Sequence, residues 1–237
     1  MSPGFPGFSF AFQPIVNIVS GTVVSFEALV RGPKNEPAFQ VFQQVSEEDK
    51  YHFDEALRVQ AIALAMRLGL TCNLNLNIYP HSVEVYPTAI SSTLAMANRS
   101  GLAHSRITLE ITETEITANI LWFKDLVNEH RSSGLQVSID DFGAGYAGLN
   151  LLADFQPDSV KIDMSIIRNI NTQGPRQAIV RGLIRTCRDL GIDVVAEGVE
   201  TEQECHWCFD EGIEFYQGYL FGKPGFEHFP LAFFPRY

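Results

Sequence analysis

Apolar and polar positions along the chain fall into a repeating order: a short β-rich run, then a stretch with apolar residues at helical spacing. The runs that read as strands are Phe10–Ile15, Thr22–Leu29, Cys72–Asn77, Ile107–Thr112, Gln136–Asp141, Ser159–Met164, Asp193–Val199 and Phe215–Phe221. Most are fairly apolar, as expected of strands buried on both faces. Between them, Glu48–Leu68 carries Tyr51, Ala56, Val59, Ile62, Ala63 and Met66 at helical spacing and ends at Gly69. Pro80–Asn98, Ala118–Ser133, Gln177–Leu190 and Thr201–Glu211 follow the same logic, with Gly134 and Gly191 where helix-terminating glycines are expected. Only Gly21 and its neighbours separate the first two strands, too little for a crossover helix, so these two should pair antiparallel as a hairpin. The rest reads as βα units. The expected architecture is an α/β fold, a modified (β/α)8 TIM-type barrel with one antiparallel strand near the N-terminus. An open doubly wound sheet is the alternative, and no G-x-G-x-x-G follows the first strand to support it. No linker or low-complexity segment interrupts the pattern, so residues 1–237 are expected to form a single domain.

Composition narrows the function classes. The chain has 237 residues, 46% of them hydrophobic and 19% charged. That is enough apolar surface to exclude a disordered state. No run of about 18 apolar residues would cross a membrane, and the N-terminal residues lack the pattern of a secretory signal. Four cysteines, Cys72, Cys187, Cys205 and Cys208, make no disulfide framework and suit a reducing cytoplasm. The net charge of −11 argues against capture of long nucleic acid. A phosphate-bearing ligand remains compatible if metal ions neutralise local acids.

The polar residues fall at strand ends. Glu27, Asn77, Glu110, Asp140, Asp141, Lys161 and Glu197 each close a strand, and Gln217 lies within the last. In a parallel barrel these ends open onto one face, so the groups converge. A single strand-end acid is most often a helix cap or a solvated charge. Five or six carboxylates in one mouth would repel strongly unless hard divalent cations joined them, and Mg²⁺ and Mn²⁺ favour such oxygen ligands. Asp140-Asp141 is placed for a pair of metals, with one carboxylate bridging.

These residues also carry a resemblance. Gln13-Pro14-Ile15, Glu27-Ala28-Leu29 with Val30-Arg31, Asn77, Glu110-Ile111-Thr112-Glu113, Asp140-Asp141-Phe142-Gly143, Lys161-Ile162-Asp163, Glu197-Gly198-Val199-Glu200, and Gln217-Gly218-Tyr219 before Lys223-Pro224 stand in that order. Together they resemble the EAL domains, bacterial phosphodiesterases of cyclic di-GMP, from about residue 8 to 224. Arg31-Gly32-Pro33 and Leu151-Leu152-Ala153-Asp154-Phe155 look most like EAL domains that follow blue-light-sensing modules. The resemblance implies two-metal hydrolysis of cyclic di-GMP to linear pGpG with Mg²⁺ or Mn²⁺. By residue, it implies that Glu27, Asn77, Glu110 and Asp140 hold one metal, and that Asp140, Asp141 and Glu197 hold or orient the second. Lys161 would contact the attacking water, as general base if its pKa is depressed and otherwise as an orienting group. Arg31 would bind a substrate phosphate, with Gln13, Leu29 and Asp163 also on the substrate side. Glu113 and Glu200 would brace the loop from Asp141 to Leu149, and Gln217 would fix the water network. It further implies a homodimer with a sensory or signalling protein as partner.

The loop departs from the family's common Gly-Thr-Gly-Tyr-Ser-Ser in reading Gly143-Ala144-Gly145-Tyr146-Ala147-Gly148. The lost hydroxyls bear on loop ordering and dimer coupling rather than on metal binding. Two rivals are a non-hydrolysing cyclic di-GMP receptor or adaptor, and a barrel enzyme acting on another phosphorylated metabolite. Members with the receptor role typically lack a metal ligand or the lysine, and this chain lacks none. Cys205-His206-Trp207-Cys208 lies mid-helix without further metal ligands, so packing is its expected role. The six histidines are expected at the surface. The phenylalanine-rich tail from Phe226 is expected to pack beneath the barrel.

Overall fold

The computed structural model describes residues 5–85, 88–113, 131–145 and 148–235, with the side chains of 83–85 and 148 outside that description. The strands are β1 (Ser9–Asn17), β2 (Thr22–Arg31), β3 (Asn73–Asn77), β4 (Ile107–Thr112), β5 (Gln136–Phe142), β6 (Ser159–Ile162), β7 (Asp193–Ala196), β8 (Phe215–Gln217) and β9 (Gly225–Phe226). β2 through β8 are parallel neighbours in sequence order, and β1 closes the sheet by pairing antiparallel with both β2 and β8. The result is a closed eight-stranded barrel with β9 added outside, on the stretch of β1 at Ala11–Phe12. Both the barrel and its one reversed strand match the expectation from sequence. Of the predicted Ala118–Ser133 helix, residues 118–130 lie outside the described residues.

Several predicted elements end sooner than their apolar runs. β6 stops at Ile162 because Asp163 turns out to cap the Met164–Ile167 helix, accepting from the Ser165 amide at 2.9 Å. β7 stops at Ala196, two residues before Gly198 takes φ 62°. A Cβ on Gly218, just past β8, would lie 2.0 Å from the carbonyl oxygen of Val199. Only glycine fits that crossing. The predicted Pro80–Asn98 helix is two, Pro80–Val85 and Ala89–Ser100, and the sequence between them contains Pro87, which has no amide donor for a continuous helix. The short helices Ala38–Phe42 and Gly148–Asp154 have no sequence signal of sufficient length.

The two faces of the barrel wall differ in chemistry. Leu74, Leu76, Ile107, Leu109, Ile111, Val137, Ile139, Val160 and Ile162 face outward into one apolar core shared with the helices. The residues alternating with them are polar and hydrogen-bonded to each other inside: Ser25 to Asn75, Asn75 to Glu110, Ser159 to Ser138. The strands are buried on both faces, but only one face is apolar. Buried small polar groups are tolerated there because each finds a partner across the narrow bore.

The β1–β2 hairpin has no crossover helix to cover it. Phenylalanines do this instead: Phe8 and Phe5 stack with Phe53 of the Lys50–Arg67 helix at 5.1 and 5.2 Å, and Phe229 sits 4.9 Å from Phe12 and 4.5 Å from Phe26. The C-terminal tail thus lies along the outer wall of the hairpin rather than beneath the barrel. Cys205 and Cys208 are buried in the core on the Glu202–Asp210 helix, whose start is fixed by a Thr201–Glu204 capping box, and burial pushes the Cys208 thiol up. Packing is their role.

Phe229→Ala should leave the fold intact and lower stability by about 2 kcal/mol, below the range for a fully buried phenylalanine because Phe229 is half-buried. In a domain of this size that lowers Tm by roughly 4–8 °C, readable in a thermal melt. An unchanged Tm would show that the tail does not cover the hairpin.

Candidate active site

The strand ends bring the predicted acids together around one ammonium. Lys161, buried at 1% exposure, places Nζ 2.7 Å from Glu197, 3.0 Å from Asp140, 3.1 Å from Glu110 and 3.4 Å from Glu27. Burial alone would lower the Lys161 pKa, but Asp140, Glu110, Glu197 and Glu27 reverse this and hold it well above its ordinary value. Its Nζ thus lies within ion-pair distance of carboxylates from four strand ends.

One cation does not balance four carboxylates. Burial and the nearby charge of Glu27 push Glu110 well above the usual carboxylate range. Burial also pushes Glu197 well up, with Lys161 opposing and Asp140 adding to the shift. Burial acts on Glu27 in the same sense, yet Lys161 and the amides of Gln217 and Asn77 outweigh it and hold Glu27 below its ordinary value. Those amides donate to Glu27 at 2.7 Å from Gln217 and 2.9 Å from Asn77.

Two consecutive residues of a regular strand point to opposite faces. β5 evades this with a register shift between Ile139 and Phe142 relative to β6, and with Asp141 in the left-handed region at φ 53°. Asp140 and Asp141 both then serve the mouth. Burial, the charge of Asp140 and Asp163, and a shared hydrogen bond with Asp163 raise Asp141 to about 6. Ligand oxygens of Glu27, Glu110 and Asp140 lie within 4.8 Å of one another, as do those of Asp140, Asp141 and Glu197. Asp140 belongs to both sets. The donors in both are oxygens only, the choice of Mg²⁺, Mn²⁺ or Ca²⁺ rather than of softer metals. Glu110 Oε2 is buried without a hydrogen-bond partner, as an oxygen reserved for a cation would be. The residues fit a divalent-metal centre.

The remaining predicted residues occupy different distances from this centre. Gln13 accepts from Gln217 at 3.4 Å, behind Glu27. Arg31 is half-buried at the end of β2, close enough to Glu27 and Tyr219 to feel both. Leu29 and Arg31 line a cavity of about 270 Å³ beside Asn77 and Glu110, walled by Phe42, Tyr79 and the Lys50–Arg67 helix. Glu113, buried, accepts from the amides of Gly143 at 2.9 Å and Gly145 at 3.0 Å and so ties β4 to the loop after Asp141. Glu200 is exposed and pairs with Arg168 at 2.7 Å. Sequence reasoning passed over Asn75 and Ser25, which reach Glu110 from below, and the buried Asp54–Arg58 pair in the cavity wall. The signal for Asn75 was present: in Asn73-Leu74-Asn75-Leu76-Asn77, period two puts it on the face of Asn77.

Residues 6–224 match the family described as EAL domain. The chain belongs to the EAL domain family. Two relatives from Escherichia coli K12 are the blue light- and temperature-regulated antirepressor BluF, 35% identical over 230 residues, and the cyclic di-GMP phosphodiesterase PdeR, 33% identical over 168 residues. These alignments cover 96% and 70% of this EAL chain, which spans only 57% of BluF and 25% of PdeR. Among solved structures, a standalone versatile EAL protein from Vibrio cholerae O395 in its c-di-GMP bound form superposes with a TM-score of 0.92 at 45% identity, covering 98% of this chain and 97% of that one. The pH 6 manganese/cy-diGMP complex of Klebsiella pneumoniae BlrP1 gives 0.90 at 40% identity, covering 95% of this chain and 57% of that one.

Removing the Glu113 carboxylate should free the loop that this EAL domain holds over Asp141. Glu113→Ala is expected to speed hydrogen exchange at the Gly143 and Gly145 amides by tenfold or more, while core amides of β4 stay protected. Equal exchange in variant and parent would show that the loop is ordered by other contacts.

Proposed function

We propose that this EAL domain hydrolyses one phosphodiester bond of cyclic di-GMP, giving linear pGpG, with two Mg²⁺ or Mn²⁺ ions in the adjoining oxygen sites. The observation that carries the reading is the complete set around Lys161: Glu27, Asn77, Glu110, Asp140, Asp141 and Glu197 converge on one mouth. The complexes of the V. cholerae EAL protein and BlrP1 with cyclic di-GMP, and of BlrP1 with manganese, support it by likeness. Bound divalent cations would polarise the phosphoryl oxygens and acidify an attacking water.

The chain's own groups do the rest. Glu27, Asn77, Glu110 and Asp140 would hold one cation and Asp140, Asp141 and Glu197 the other. Asn77 donates through Nδ2 to Glu27, so its Oδ1 would be the ligating atom. Lys161, kept cationic by its ring of acids, would orient the attacking water by donating to it and would stabilise charge on the oxygens that gain it. Gln217, anchored on Glu27 and backed by Gln13, would fix the same water from the opposite wall. Arg31 at the rim would receive a substrate phosphate, and the neighbouring cavity with Leu29 would receive one base. Asp163, joined to Asp141, would lie at the substrate's other flank. Glu113 would brace the loop from Asp141 to Leu149, the role expected of Glu200 as well, which instead pairs with Arg168. The domain would act in the cytoplasm as a homodimer, controlled by a sensory or signalling protein.

A second reading rests on the likeness to the antirepressor BluF: a receptor that binds cyclic di-GMP and signals without cleaving it. Incubation of the purified protein with cyclic di-GMP, with and without Mn²⁺, separates the two when products are followed by chromatography. Metal-dependent conversion to pGpG is expected. Glu27→Ala and Lys161→Ala should each lose on the order of a hundredfold to a thousandfold in kcat, and Arg31→Ala should mainly raise KM. Tight binding without turnover would favour the receptor, and neither binding nor turnover would sink the substrate assignment.

A further inference from the structure

β3 lies between the two strands that carry Glu27 and Glu110, and its inward residues bond one acid each. Asn77, opposite Glu110 in register, donates sideways to Glu27 on β2 at 2.9 Å. Asn75, opposite Glu27 in register, donates the other way, to Glu110 Oε1 on β4 at 2.7 Å. The two asparagines cross, and each clamps the acid that faces its neighbour. Their remaining atoms differ. Asn77 is exposed and its oxygen can ligate, whereas Asn75 is buried and its Oδ1 already accepts from Ser25 Oγ. The Asn75 oxygen is thus already engaged. The bonding is directional as well: Asn75 presents its NH₂ to Glu110 Oε1, and Ser25 donates to the oxygen left behind.

We infer that Asn75, held by Ser25, is a positioning residue for the metal centre: it occupies Glu110 Oε1 so that Oε2 is presented to the cation. The inference rests on the reading of the acids as metal ligands. Two features of Glu110 support it. Oε1 takes both Asn75 and Lys161, at 2.7 and 3.1 Å, while Oε2 is buried with no hydrogen-bond partner. A carboxylate swinging freely would share its donors between both oxygens. Partners of this outer kind usually set affinity by fixing the ligand's rotamer, and their loss costs about tenfold to a hundredfold in metal binding.

The test uses Mn²⁺ alone, titrated into the full chain, with free Mn²⁺ read by electron paramagnetic resonance and no substrate present. Asn75→Ala should weaken Mn²⁺ binding by about tenfold or more, with an unchanged circular-dichroism spectrum. Ser25→Ala should weaken it less, since the Asn75 amide then has freedom to turn over. Parental affinity in both variants would overturn the inference and leave the metal reading standing. Should Asn75→Ala fail to fold, Ser25→Ala decides alone, and unchanged affinity there overturns the inference. A parent chain that binds no Mn²⁺ would sink the metal reading and, with it, any such role for Asn75.

Discussion

The structure is organised by an electrostatic imbalance: four carboxylates meet one ammonium in a place where water is scarce. Like charges a few ångströms apart repel far more strongly there than in bulk solvent, and desolvation adds to the cost of ionising them. The fold does not relieve the imbalance by removing acids. It spreads the charge over amide groups that donate to the acids: Asn77 and Gln217 to Glu27, Asn75 to Glu110. What remains is an unmet demand for positive charge, concentrated at the mouth and matched to small, hard cations.

Meeting that constraint needs a barrel with two separate interiors. Stability comes from outside the wall, where the aliphatic residues of β3 to β6 join the helices in a continuous apolar shell. Chemistry comes from inside, where small polar groups form a hydrogen-bonded bed beneath the acids. Because the two faces alternate residue by residue, the same strand serves both without compromise, and the bulge at Asp140–Asp141 is a local departure that places neighbouring side chains in the same region.

Much of this was legible in the sequence. All eight barrel strands fall on the apolar runs, the short connection at Gly21 foretold the reversed first strand, and the polar residues closing those runs do converge. What was not legible has physical reasons. Strand lengths were overestimated where a side chain or glycine ends the ladder, as at Asp163 and Gly218, because the apolar signal continues into residues that pack without pairing. The tail's place on the hairpin depends on a gap that exists only in three dimensions, where a crossover helix is missing. The inner polar layer was overlooked for another reason: Ser25, Asn75, Ser138 and Ser159 are unremarkable singly, and their meaning lies in the partners that closure gives them.

That closure also bears on the site. β1 meets β8 through Ile15 and Gln217, and Gln217 bonds to Glu27 across 190 positions of the chain. Pairings this distant in sequence must offset the loop-closure entropy of the chain between them. The amide that holds Glu27 is therefore supplied by the strand that seals the barrel against the first hairpin. A chain still lacking β8 has Glu27 without the Gln217 amide and a barrel open along one seam, so the ring around Lys161 is incomplete. The contact that steadies Glu27 and the pairing that seals the barrel thus depend on the same strand, and neither exists without it.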